Sequence, residues 1–357
     1  MKETMDVTKF YIEEEKTVIQ AMKALDELAL KVLFVQKDGK LQAALTDGDI
    51  RRWILSEGDL NASIKNVANY HPLYLVGGSY EEAMNFLKEK SIEAVPIVDK
   101  ELHIQDILYW NQKQAAVQRG QMDIPVVMMA GGKGTRLYPY TKILPKPLIP
   151  VGDIPIAEHI IEQFCLYGCN EYYLIVNHKK NMIKAYFNEI EKDYQVHYVD
   201  EDQPLGTGGG LSLLKGRLDT TFILTNCDIL IQADIAKIYR FHKENHNVIT
   251  LVCSLQNFQI PYGVVNIGNG GKIESMEEKP HISFFTNTGC YIVEPEVIDD
   301  LNAGQAVGFP DIIDKCRNEG KNVGVYPIGE NAWLDMGQMD ELEKMRLRFE
   351  TISMGEI

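Results

Sequence analysis

The residues best suited to chemistry lie in the middle of the 357-residue chain. Gly131, Gly132 and Gly134 put three glycines in four positions, Thr135-Arg136-Leu137 follows, and Lys146 stands between Pro145 and Pro147, ten residues after the Arg. Glycines let a backbone approach a phosphate chain closely and aim its amides at it. Arg136 and Lys146 add two cations that can neutralise charge growing on a phosphoryl group in transfer. Neither a Gly-Lys-Ser/Thr Walker loop nor a Gly-x-Gly-x-x-Gly dinucleotide fingerprint occurs here. The loop directly follows Ile124-Pro125-Val126-Val127-Met128-Met129, a buried-strand pattern. A second such pattern, Phe222-Ile223-Leu224-Thr225, runs into Asn226-Cys227-Asp228. A carboxylate at the tip of a parallel strand stands where α/β folds hold ligands.

Taken together, the string from Gly131 to Leu137 with the later Pro-Lys-Pro resembles the signature of the sugar nucleotidylyltransferases. Further motifs follow in that family's order from about residue 124 to 345. Gln203-Pro204-Leu205-Gly206-Thr207-Gly208-Gly209 matches the loop over which the nucleobase lies. The resemblance implies nucleotide contacts from Gly131, Gly132, Gly134, Thr135, Gln203 and Gly206. The Gln203 side chain carries a carbonyl and an amide, suited to the edge of a base. Many guanylyltransferases of the family have Glu immediately before Pro-Leu-Gly-Thr, so Gln203 leaves the base open. The resemblance also pairs Asp228 with Asp335 of Trp333-Leu334-Asp335-Met336-Gly337 as magnesium ligands. Two carboxylates and phosphate oxygens suit that hard, water-retaining cation. On the sugar side it assigns Gly263 to close substrate approach, Glu278 to sugar hydroxyls, Lys279 to the sugar phosphate, and Asn287 of Asn287-Thr288-Gly289 to the same wall. Without the resemblance, Glu277-Glu278-Lys279 is a charged turn between two strands.

Strands alternating with amphipathic segments at Ile156–Phe164 and Met182–Glu191 predict a Rossmann-like, mainly parallel, doubly wound α/β domain over residues 124–357. The polar, Gln-rich stretch Gln112–Asp123 predicts a linker before it. No hexapeptide repeat occurs, so a left-handed β-helix acyltransferase domain is not expected.

Residues 1–120 carry a weak repeat. Thr17-Val18-Ile19-Gln20-Ala21-Met22-Lys23-Ala24-Leu25 recurs as Ser79-Tyr80-Glu81-Glu82-Ala83-Met84-Asn85-Phe86-Leu87. Thr17 and Ser79 are N-cap candidates, and Ala, Met and Leu fall on one helical face. Strand-like runs follow at Val32–Val35 and Ala94–Val98, then turns at Asp38-Gly39-Lys40 and Asp99-Lys100-Glu101. Each copy reads as helix–strand–turn–strand–helix, too small to bury a core alone. Leu45-Thr46-Asp47-Gly48-Asp49-Ile50 resembles the end of a cystathionine-β-synthase (CBS) motif, and two copies, about 1–57 and 58–111, would form a CBS pair, or Bateman module. The resemblance implies that Thr46 and Asp49 bind phosphate and ribose of a regulatory adenine or guanine nucleotide. The second copy, His103-Ile104-Gln105-Asp106, lacks the Thr, so at most one nucleotide per chain is expected.

Composition bounds the rest. Hydrophobic residues at 45% and charged residues at 24% describe an ordinary globular chain. A net charge of −15 lacks the basic footprint of a general nucleic-acid binder. No apolar run approaches the ~20 residues of a membrane span, and no signal core precedes Phe10, so a cytoplasmic protein is expected. The six scattered cysteines show no zinc or redox spacing and read as buried thiols.

The resemblance implies an enzyme of the EC 2.7.7 type that joins a nucleoside triphosphate to a sugar 1-phosphate and releases pyrophosphate. CBS-pair-plus-transferase order resembles the glucosamine-1-phosphate guanylyltransferases of legionaminic acid synthesis, making GTP and glucosamine 1-phosphate the leading substrates. Mannose-1-phosphate guanylyltransferase comes next, then uridylyl or thymidylyl transfer to glucose 1-phosphate. A non-catalytic nucleotide-sugar sensor is the reading from another class. A homo-oligomer, dimer or tetramer, is expected.

Overall fold

The computed structural model describes residues 10–27, 31–77, 80–90, 92, 94–109 and 121–354. The chain forms two compact units, Met1–Gln118 and Arg119–Ile357. Their division falls inside the Gln112–Asp123 stretch, most of which lies outside the described residues.

The smaller unit is built twice from one plan. Strands β1 (Tyr11–Ile12), β2 (Val32–Lys37) and β3 (Lys40–Thr46) make one sheet, and β4 (Leu75–Val76), β5 (Ala94–Val98) and β6 (Ile104–Tyr109) make another. In each, the first pair is parallel and the second antiparallel. Helices Val18–Glu27 and Tyr80–Lys90 occupy the same place in the two copies. Ser79, the expected second N-cap, lies outside the described residues. Phe10, Phe34 and Leu41 of the first copy share a core with Ala94, Val98 and Ile107 of the second, so neither copy buries its apolar face alone. Helix Asp47–Leu55 starts at a reciprocal cap. Thr46 Oγ1 accepts from Asp49 N at 3.1 Å, while Asp49 Oδ2 accepts from Thr46 N at 2.9 Å and from its hydroxyl at 2.6 Å.

The larger unit centres on seven strands: β7 (Val126–Met129), β10 (Glu171–Val176), β11 (Gln195–Asp200), β12 (Phe222–Asn226), β14 (Ile249–Gln259), β17 (His281–Val293) and β18 (Val323–Ile328), after the small hairpin β8 (Pro150–Val151) and β9 (Ile154–Pro155). Their order is β11-β10-β7-β12-β17-β14-β18, with β17 alone running antiparallel to its neighbours. Val126 and Met128 pack into one core and Val127 into the other, as in a sheet covered on both faces. Helix Ile156–Cys165 supplies Ile156, Ile160, Ile161 and Phe164 to the first core at helical spacing. All six cysteines are free thiols, and all but Cys165 are buried. Among the described residues, no helix is long and apolar enough to cross a membrane.

At the sheet end remote from the glycine loop, a buried polar network ties helix Ile235–Glu244 to the strands. His242 is fully buried, with Nδ1 2.8 Å from Thr250 Oγ1 and Nε2 3.1 Å from Glu294 Oε1. Glu294 also accepts from Thr221 at 3.0 Å and Lys243 at 2.7 Å, and the Asn247 amide donates to Thr250 at 3.0 Å. Burial holds the imidazole below its ordinary value of 6.5, with Glu294 pulling the other way. The unfolded chain therefore takes up the proton first as pH falls. Stability from the neutral ring is present above about pH 6.5 and lost below it. Melting of the larger unit should drop between pH 7.5 and 5.5, each ~1 kcal/mol lowering Tm by roughly 2–4 °C. His242→Gln, which cannot titrate, should flatten that slope in thermal denaturation; an unchanged slope would refute the assignment.

Candidate active site

From β7 the chain winds outward through β10 to β11, then returns to place β12 on the other side of β7. This reversal opens a crevice at the carboxyl ends of β7 and β12, the usual ligand position in open α/β sheets. The glycine loop leaves β7, and Asp228 follows β12. Strands β13 (Ile229–Ile231) and β19 (Trp333–Asp335) then pair antiparallel with Ile229 opposite Asp335, which carries the second carboxylate to the first.

Arg136, Asp228, Asn287 and Asp335 line a cavity of about 390 Å³, with Asn226 and Trp333 between them. Lys146 reaches this group from the side: its ammonium pairs with Asp228 Oδ2, both side chains largely buried. Burial works against the Lys146 charge, yet Asp228, Cys227 and Asp335 hold its pKa above the ordinary lysine value. For Asp335, burial and then the Asp228 charge raise the pKa, opposed by the Gly337 amide 2.6 Å from Oδ1 and by Lys146 and Arg136. Cys227 is buried and its thiol pushed up to about 12, so it is not an available nucleophile at neutral pH.

Two tight passages shape the phosphate-loop side. Gly134 adopts φ +63°, and a Cβ there would stand 2.8 Å from Thr141 Cγ2 and 3.1 Å from Lys146 Cβ. The Thr141 hydroxyl donates to the Gly134 carbonyl at 2.9 Å, joining the glycine loop to the segment that ends in Lys146. Gly132, Thr135 and Arg136 stay exposed at the loop tip.

On the other side of the loop stands Glu201, which motif reading passed over. Its side chain is wedged between two glycines: a Cβ on Gly131 would meet Oε2 at 2.7 Å and one on Gly210 would meet Oε1 at 2.6 Å. The residue is only 5% exposed, and Oε1 has no hydrogen-bond partner. Burial pushes its carboxyl above the ordinary value, against the Leu205 amide. Gln203 lies exposed two residues on, with Nε2 3.5 Å from the Gly304 carbonyl. Gly206 turns at φ +78° against the Val307 carbonyl. Gly263, Glu278 and Lys279 form a separate group, apart from the cavity lining. Gly263 abuts Glu278 Oε2, and the Lys279 amide donates to Tyr262 O at 3.3 Å beside the hairpin of β15 (Val264–Ile267) and β16 (Ile273–Glu277). Asn287 is held at the cavity by its amide donating to Tyr291 OH at 2.8 Å.

The donor set fits a hard cation in part. No cluster of three or more His, Cys, Asp or Glu placed for a metal exists among the described residues. Asp228 and Asp335 could offer a cation two carboxylates, whose mutual repulsion it would relieve, with the rest of its shell left to water and phosphate.

Two carboxylates and Arg136 thus line a strand-end cavity, with Lys146 paired to one of the carboxylates. The chain matches the nucleotidyl transferase family over residues 125–351 and belongs to that family. It is 30% identical over 240 residues to a UTP–glucose-1-phosphate uridylyltransferase of Synechocystis sp., covering 60% of this chain and 60% of that protein. It is also 30% identical over 225 residues to a mannose-1-phosphate guanylyltransferase of Mycobacterium tuberculosis, covering 61% and 62% respectively. A third relative, the bifunctional protein GlmU of Methanococcus maripaludis, is 32% identical over 232 residues, covering 62% of this chain and 54% of that one. The chain thus spans little more than half to three-fifths of these relatives' length. In fold it resembles HddC from Yersinia pseudotuberculosis (TM-score 0.51, 21% identity, 63% of this chain and 99% of that one). It likewise resembles a putative glucose-1-phosphate thymidylyltransferase from Bacillus anthracis (TM-score 0.50, 22% identity, 63% and 94%).

Gly134→Ala tests the local packing. A left-handed backbone costs an L-residue about 1–2 kcal/mol, and the new methyl must displace Thr141 or Lys146. Tm should fall by several degrees and ligand-free Lys146 should shift. A variant with wild-type melting and an unchanged crystal structure would contradict this.

Proposed function

We propose that the larger unit transfers a nucleoside monophosphate from a nucleoside triphosphate to a sugar 1-phosphate, releasing pyrophosphate, with guanine as the preferred base. The single observation that carries the reaction is the convergence of Lys146, Arg136, Asp228 and Asp335 on one strand-end cavity beside the glycine loop.

The sugar phosphate oxygen forms a bond to the α-phosphorus as the bond to pyrophosphate breaks on the opposite side. That nucleophile is already ionised, so the site needs no strong general base, and positioning with charge neutralisation dominates. Arg136 meets the triphosphate and the departing pyrophosphate. Lys146 meets charge at the reacting phosphorus, and Lys279 meets the sugar phosphate, with Glu278, Gly263 and Asn287 on the sugar. Asp228 and Asp335 would hold magnesium, which when bound supplies Lewis-acid neutralisation of phosphate oxygens.

Glu201 supports guanine. The base presents N1–H and N2–H₂ side by side, and a carboxylate accepts both. Uracil and thymine present one N–H flanked by carbonyls, which a carboxylate repels. Adenine offers a ring acceptor beside its amino group. Glucosamine 1-phosphate and mannose 1-phosphate are the leading acceptors, and GDP-glucosamine is the product favoured by the order of units. The doubled architecture of the smaller unit supports a CBS pair, with Thr46 and Asp49 as its nucleotide side, and homo-oligomerisation and a cytoplasmic setting accompany that reading.

Pyrophosphate release across four nucleoside triphosphates and several sugar 1-phosphates tests the reaction. Asp228→Asn should lower kcat by orders of magnitude in a folded protein; near-normal turnover at saturating magnesium would reject it as a metal ligand. Glu201→Gln should cut the preference for GTP over UTP roughly ten- to hundredfold, the worth of a bidentate base contact. An unchanged preference would remove Glu201 from base reading.

A further inference from the structure

Lys179 stands at the start of helix Lys180–Glu189 in a left-handed backbone conformation, φ 54° and ψ 31°. A lysine gains nothing intrinsic from that conformation, and such strain persists only where the surroundings over-determine it. Here the surroundings are three successive carbonyls. Lys179 Nζ donates to Thr141 O at 2.8 Å, Lys142 O at 2.7 Å and Ile143 O at 2.9 Å, using all three ammonium donors at the carboxyl end of the turn Tyr140–Ile143. From Ile143 the chain reaches Lys146 in three residues, one of them Pro145 with its φ fixed. Thr141 meanwhile donates to Gly134 of the glycine loop. The neighbours of Lys179 hold the opposite side: His178 N donates to Gly131 O at 3.3 Å, and Asn177 Nδ2 donates to Glu201 O at 2.9 Å.

The structure assigns to Lys179 the role of a positioning residue that fixes the segment bearing Lys146 against the glycine loop. This rests on the transfer reaction proposed above, since it gives Lys146 a charge to meet. Lys179 touches no reacting group. Its ammonium neutralises three carbonyl dipoles and so holds the stiff connection to Lys146 in one place. Misplacing a catalytic cation by about 1 Å can cost on the order of a hundredfold in rate.

The test compares the full-length wild type with Lys179→Met, Lys179→Gly and Lys179→Arg. Steady-state pyrophosphate release should show kcat down roughly ten- to hundredfold in the Met and Gly variants, with KM for the triphosphate within about twofold. Lys179→Arg keeps charge and donors and should recover most of kcat. Lys179→Gly relieves the left-handed backbone, so it should melt no lower than the Met variant yet be equally slow; a merely structural lysine would let it recover. Hydrogen–deuterium exchange without substrates should quicken across residues 138–148 in the Met and Gly variants but not in the Arg variant. Full kcat in the Met and Gly variants, a loss confined to KM, or unchanged exchange would each overturn the assignment. A wild type that releases no pyrophosphate from any substrate pair would sink the transfer reading instead, and the exchange comparison would still decide the clamp.

Discussion

Where β7 and β12 end side by side, the ammonium of Lys146 meets the carboxylate of Asp228, and Asp335 stands close enough to raise the electrostatic cost of both acids. Two carboxylates face the Lys146 ammonium, with Arg136 as a second cation on the cavity wall. Groups so placed are retained only when each is held by its neighbours, and deleting one partner of a buried pair commonly costs about 3–5 kcal/mol. The arrangement depends on a backbone that brings together residues a hundred or so positions apart in sequence. The β13–β19 ladder does this for the acids, while the Thr141–Gly134 bond and the Lys179 ammonium do it for the lysine. The site is therefore as precise as those supports.

The local parts of this design were legible in the sequence. A glycine loop after an apolar run and an aspartate at a strand tip carry their meaning in a few adjacent residues, and the structure places both at the strand reversal. The two amphipathic segments read from periodicity form helices at Ile156–Cys165 and Lys180–Glu189, the second beginning two residues earlier than periodicity alone would put it. The antiparallel course of β17 was not legible, because strand direction follows from how a connection returns rather than from side-chain pattern. That strand runs back through thirteen residues and thereby carries Asn287 to the cavity.

Glu201 was illegible for a different reason. In Asp200-Glu201-Asp202 it sits within an acidic triplet that reads as a solvated surface. Asp200 behaves that way, paired with Lys180 and Lys184. Alternation at the end of β11 turns the next side chain inward, and the missing Cβ atoms of Gly131 and Gly210 make room for it. Gly131 reads as a phosphate-loop residue, and Gly210 lies just beyond the Gln203–Gly209 motif. Their further service, as the two walls of a carboxylate slot, depends on a tertiary contact that no local window contains. Lys179 is similar: one of the two lysines in His178-Lys179-Lys180, distinguished only by the three carbonyls it finds.

The smaller unit carries the same lesson into its symmetry. Its copies agree in strand directions and share one core, so the repeat is architectural. Only the first copy's strand-to-helix junction lies among the described residues. In the first, Thr46 and Asp49 cap a helix for each other, and Asp49 also pairs with Arg52. In the second, the strand end that answers to Thr46 is Tyr109, so His103 and Asp106, expected there from the sequence, lie instead just before and within β6, where the His103 amide donates to Asp99 at 2.9 Å and Asp106 accepts from the Ile107 amide at 2.8 Å. A ligand at Thr46 and Asp49 must use lone pairs the cap leaves over or displace the cap itself, and displacing it would loosen the first turn of helix Asp47–Leu55.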